Sequence, residues 1–88
     1  MIREKVLGEE HPDTAISYNN LAGVYHDQEK YKVSLSYYYK AYKIFVSKLG
    51  ANHSRTITVY YNMEITYFDY NPEGNFEQWL EEKMKETE

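Results

Sequence analysis

Eighty-eight residues with a formal charge of -4 make at most one small domain, and a chain of that size buries only a modest share of its surface unless a neighbour helps. The absence of cysteine excludes a disulfide framework, a thiolate metal site and a thiol nucleophile, so packing alone must hold the fold. The ten Lys and Arg residues are dispersed along a net acidic chain, which argues against a nucleic-acid surface, where clustered cations face phosphates.

The first residues, Met1-Ile2-Arg3-Glu4-Lys5-Val6-Leu7-Gly8, lack a signal-peptide core and read as the last two turns of a helix belonging to a preceding unit, stopped by Gly8. No segment approaches the roughly 18 apolar residues of a membrane span, so a cytoplasmic protein, or a piece of one, with no membrane partner is expected. A helix from about Pro12 to Gln28 follows. Pro12 suits the first helical position, Asp13 places negative charge at the positive dipole end, and Tyr18, Leu21, Ala22 and Tyr25 form an apolar stripe.

The next helix, about Lys30 to Leu49, carries Tyr31, Leu35, Tyr38, Tyr42, Phe45 and Leu49 at spacings of four and three, with Tyr37, Ala41 and Ile44 on another side. A helix apolar on two sides is normally sandwiched between neighbours. Gly50 ends it. The consecutive Tyr37, Tyr38 and Tyr39 must point to three sides of the helix. After a further helix, a turn around Asn71-Pro72-Glu73-Gly74 leads into a terminal helix over residues 73–88. Its one apolar edge, Phe76, Trp79, Leu80 and Met84, suits a solvated cap.

These elements repeat. At an offset of 42 residues, Leu7-Gly8-x-x-His11-x-x-Thr14 recurs as Leu49-Gly50-x-x-His53-x-x-Thr56. The match continues through Tyr18/Tyr60, Asn20/Asn62, Tyr25/Tyr67 and Asp27/Asp69, giving eight identities over 22 aligned pairs. Random composition would give roughly one or two. Beyond Gln28 the register slips by three, so that Lys30-Tyr31-Lys32-Val33-Ser34-Leu35 aligns with Asn75-Phe76-Glu77-Gln78-Trp79-Leu80. The expected organisation is a single domain over 1–88: the end of a preceding repeat (1–8), a complete repeat (9–50), and a second, irregular repeat with its capping helix (51–88).

The run Tyr18-x-Asn20-Leu21-Ala22-x-x-Tyr25, then Tyr31, Ser34-Leu35, Tyr38 and Ala41, resembles the tetratricopeptide repeat pattern of aromatic, Leu and small residues. The 42-residue period, with Leu7-Gly8-x-x-His11-Pro12-Asp13 and Asn19-Asn20-Leu21-Ala22, is similar to the longer subtype typified by kinesin light chain. The resemblance implies an all-α fold of about five helices, stacked as antiparallel pairs in a right-handed solenoid fragment. Small residues such as Ala22 and Ala41 then stand where paired helices approach closely. Three positions depart from the pattern: Glu29 replaces a turn glycine, Ser34 an alanine, and Glu64 occupies the place matching Ala22. The second unit is therefore expected to pack less regularly.

The resemblance also implies a non-catalytic protein-interaction module whose first helices line a concave groove for a peptide or protein segment. Carried over residue by residue, the groove positions are Ile16, Asn19, Asn20, Gly23, His26 and Asp27, then Thr58, Tyr61, Asn62, Ile65 and Asp69. Asn20 and Asn62 lead, because an amide offers donors and an acceptor to any peptide backbone. The same amides would serve equally to fix helix stacking. Amides left unpaired on a concave surface favour binding; amides paired within the fold favour architecture. With Asn, His and Asp at these places and no Lys or Arg, the acidic-peptide preference of kinesin light chain does not carry over, and Asp27 and Asp69 favour a basic or amide-rich ligand.

The alternative is a purely architectural segment of a larger scaffold or signalling protein, or one self-associating as a homo-oligomer through exposed end-repeat faces. His11 and His53 lie a full repeat apart, without close ligand spacing, and read as turn-capping residues rather than metal ligands. His26 beside Asp27 has no Ser or Cys nucleophile at a recognisable spacing, and no glycine loop cradles phosphate. No enzyme activity, metal or cofactor is expected.

Overall fold

Several helix ends fall where the local sequence supplies the missing backbone partners. The computed structural model describes residues 11–86. It contains α1 (Pro12–Asp27), α2 (Tyr31–Leu49), α3 (Ser54–Tyr70) and α4 (Phe76–Glu86), with no strand among the described residues. The fifth helix expected, over residues 1–8, lies outside the described residues.

At the start of α1, His11 is extended and its Nδ1 accepts the backbone N–H of Asp13 at 3.0 Å, with Pro12 in the first turn. The start of α3 repeats the device: His53 Nδ1 accepts the N–H of Arg55 at 3.1 Å. Both histidines thus supply an acceptor to helix N–H groups that have no intrahelical partner. The C-terminus of α1 closes with Lys30 N–H on the Tyr25 carbonyl at 2.9 Å and Glu29 N–H on the His26 carbonyl at 2.9 Å. That closure requires a left-handed residue, and Glu29 supplies it at φ 63°. A side chain there costs about 1 kcal/mol relative to glycine. Gly50, at φ 94°, closes α2 without that cost.

The terminal helix begins at Phe76 rather than Glu73. Asn75 Oδ1 accepts the Gln78 N–H at 3.0 Å, and Gly74 N–H bonds the Asn71 carbonyl at 2.9 Å, so Pro72 to Asn75 form a turn and cap. A Cβ at Gly74 would collide with the Tyr67 hydroxyl and the Asn71 amide, so this turn admits only glycine without rearrangement. Met84 remains exposed.

Short connections make α2 antiparallel to both α1 and α3, so α1 and α3 run the same way on one side of it. The core between them is built on Ala15 and Ala22 of α1, Leu35, Tyr38, Ala41 and Phe45 of α2, and Val59 and Met63 of α3. Ala22 and Ala41 are fully buried. Beside them Ser34 is also fully buried, and its Oγ donates to the Ala22 carbonyl at 2.7 Å, which satisfies the hydroxyl that replaces the expected alanine.

Of the stripe read on α1, only Ala22 is wholly buried. Tyr18 and Tyr25 are half-buried, with ring centroids 5.7 and 5.8 Å from Tyr37, while Leu21 is exposed. A seam of small residues brings the backbones close and displaces large rings to its margins. Of the three consecutive tyrosines of α2, Tyr37 packs against Tyr18 and Tyr25 of α1, while Tyr38 and Tyr39 are buried, Tyr39 in the lining of a cavity shared with Trp79. The α3–α4 contact is aromatic: Phe76 lies 5.4 Å from Tyr60 and 5.7 Å from Tyr67, and Trp79 lies 5.6 Å from Tyr67. No helix among the described residues is long and apolar enough to cross a membrane.

Candidate functional site

The parallel α1 and α3 leave a groove between them, floored by α2. At its N-terminal end is a cavity of about 330 Å³, lined by Ile16, Asn19 and Asn20 of α1, Phe45 of α2, and Ser54, Arg55 and Thr58 of α3. At its C-terminal end His26 Nε2 meets Asp69 Oδ2 at 2.7 Å, joining the first helix of one unit to that of the next. The His26 ring also stands 5.5 Å from the Tyr31 ring, and its Nδ1 lies 3.9 Å from Asp27 Oδ1.

Between these ends lies Gly23, in mid-helix where glycine is destabilising by about 0.5–1 kcal/mol relative to alanine. A Cβ there would meet nothing closer than the Tyr38 hydroxyl at 3.7 Å, an ordinary contact, so packing does not demand the glycine. Thr66 Oγ donates to the Asn62 carbonyl at 2.9 Å. Burial pushes the Tyr38 phenol above its ordinary range and the Asp27 carboxylate adds to the rise, while the neighbouring Thr66 hydroxyl opposes it.

Ile16, Asn19, Asn20 and Thr58 meet in the cavity, and His26, Asp27 and Asp69 gather at the opposite end. Asn62 is half-buried on α3. Tyr61 and Ile65 are 57% and 56% exposed, so each presents more than half of a large apolar side chain to water. Neither lines the cavity that Thr58 helps to form. Neither Asn20 nor Asn62 has a side-chain hydrogen bond among the described residues, and Asn19 Oδ1 is buried without a partner.

The groove is not free of Lys and Arg: Arg55 forms part of its wall, together with Ser54 and Phe45, none of which the sequence reading included. The 42-residue offset held the signal, because it sets Arg55 against Asp13, a reversal of charge within otherwise matching first turns. A smaller cavity of about 140 Å³ lies away from the groove, lined by Lys32, Leu35, Ser36, Tyr39, Tyr70, Trp79 and Lys83. No group of three or more His, Cys, Asp or Glu residues able to hold a metal occurs among the described residues.

Neither a curated protein nor a solved structure matches the chain. The family model described as tetratricopeptide repeat matches it twice, over residues 2–45 and 13–71. Those spans take in the whole of α1, α2 and α3, the helices that form the groove. The chain belongs to the tetratricopeptide repeat family.

Proposed function

We propose that the chain is a non-catalytic interaction module that takes an extended peptide segment of a partner protein in the groove between α1 and α3. The observation that carries this reading is the set of unpaired amides: Asn20 and Asn62 make no side-chain bond within the described fold, and Asn19 Oδ1 has no partner. A peptide backbone supplies both the donors and the acceptors such amides use. The residues 9–50 form the complete unit in this reading, and 51–88 the modified one, in a cytoplasmic protein. Asp27, exposed at the groove's C-terminal end, draws basic or amide-bearing groups.

Selection from a random peptide display library, followed by affinity measurement on the recovered sequences, tests the proposal. Recovered peptides should lose at least about tenfold in affinity to an Asn20→Ala/Asn62→Ala double variant, the effect of losing hydrogen bonds worth about 1.4 kcal/mol together. Unchanged affinity would sink the groove reading. A second reading, self-association, has its own observation: Ile57, Tyr61, Ile65 and Phe68 form an exposed apolar row along α3. Sedimentation showing a dimer that Ile65→Glu returns to monomer would favour it, and a monomer throughout would remove it.

A further inference from the structure

We infer that the groove is electrically polarised and selects an extended peptide carrying an acidic and a basic side chain about six residues apart, the acid at Arg55 and the base at Asp27 and Asp69. The inference rests on the groove reading and specifies the ligand for that site.

Three observations point the same way. Arg55 lines the cavity at the N-terminal end and has no carboxylate partner among the described residues; Asp13, on the first turn of α1, is not part of that lining. Asp27 and Asp69 stand at the other end, where the His26 imidazole lies between them, and neither meets a Lys or Arg within ion-pair distance among the described residues. The helix termini add to the contrast, since α1 and α3 run in parallel and turn their positive dipole ends toward Arg55 and their negative ends toward the aspartates.

Arg55 is also placed against local preference. In the first turn of α1 the matching residue is Asp13, which favours the helix, whereas a cation in a helix's first turn is unfavourable by about 0.3–1 kcal/mol. His53 already caps α3 through its own Nδ1, so Arg55 contributes only its backbone N–H to that end. A charge held where it weakens its own helix, on the wall of a cavity that also contains the unpaired Asn19 oxygen, is explained by what enters the cavity.

The spacing follows from geometry. From Arg55 to Asp69 the helix advances about 21 Å at 1.5 Å per residue. An extended strand covers that distance in about six residues at 3.3–3.6 Å each. Between the two charges the peptide would pass over Gly23, where no side chain intrudes, and its other face would lie against Tyr61 and Ile65.

The test is a random decapeptide display selection on the full 88-residue chain, run in parallel on Arg55→Glu. This variant should fold at least as well as the parent, because it restores an acidic residue to the first turn. The expected result is enrichment of one acid–base order at the stated spacing on the parent, and at least a tenfold loss of affinity of those peptides for Arg55→Glu. Recovered peptides that lose affinity to the Asn20→Ala/Asn62→Ala variant but carry no such charge pair would overturn the polarity and leave the groove standing. Failure to enrich any sequence would overturn both.

Discussion

The two helix pairs solve the same packing problem with opposite materials. In the first, Ala22 and Ala41 vanish from solvent and the backbones close on each other, with Ser34 bonded to the Ala22 carbonyl at 2.7 Å. In the second, the place of Ala22 is taken by Glu64, whose side chain is half-exposed, and the helices meet through Tyr60, Tyr67, Phe76 and Trp79. The second of the paired helices also shrinks, from 19 residues in α2 to 11 in α4. Small residues allow a close, uniform approach; where one is lost, ring edges span the wider gap and the contact becomes local.

Exchanging the materials breaks the comparison most severely. Ala22→Glu places a carboxylate in a fully buried position and should cost at least about 3 kcal/mol, read as loss of cooperative melting. A fold that tolerates it would show that the first pair does not depend on close approach. Phe76→Ala removes the ring at the centre of the second pair, 2% exposed, for about 3 kcal/mol. Amide exchange should rise first in α4 while α1 and α2 stay protected; uniform loss of protection would mean the two pairs form one cooperative unit.

Glu29→Gly sharpens the contrast in the other direction. Relieving the side chain held at φ 63° should stabilise the first pair by about 1 kcal/mol, visible as a higher denaturant midpoint at unchanged slope. The smallest effect has a sign rather than a size. Burial raises the phenols of Tyr38 and Tyr42, and desolvation with the Glu64 and Glu77 carboxylates raises Tyr60, all above the ordinary 10.0. Above that value the unfolded chain has released protons that the folded chain still holds. Stability is therefore full below about pH 10 and falls as pH rises through the folded values. Urea midpoints followed from about pH 9 to pH 11 should decline; a flat series would show that these phenols are as accessible folded as unfolded.

Much of the fold is legible in the sequence because its signals are local. Pro12 and the recurring histidines mark helix starts, Gly50 an end, and the spacing from Tyr31 to Leu49 a helix packed on two sides, each decided by residues within a turn or two. The start of α4 was harder, since Glu73 is a good helix former and only the Asn75 side chain shows that the turn continues to Phe76. Leu21 reads as core from its spacing on α1, yet the helix buries only a narrow seam of alanines, and seam width is a property of two helices together.

The groove follows the same division. Its rows can be carried over by the repeat, but Arg55 joins the wall through the lateral fit of α3 against α1, and the engagement of Asp69 depends on a histidine 43 residues away.

That bond between His26 and Asp69 bears on how such an array melts. In a stack where each unit touches only its neighbours, cooperativity resides in the coupling between adjacent units, and everything else is additive. Most coupling here is apolar and spread over many contacts. The His26–Asp69 contact, at 2.7 Å, is instead polar, directional and made by one side chain from each unit. Cutting it removes a link between successive units while leaving the packing inside each one in place. In this chain the sharpness of unfolding, and not only its midpoint, thereby draws on a single pair of side chains.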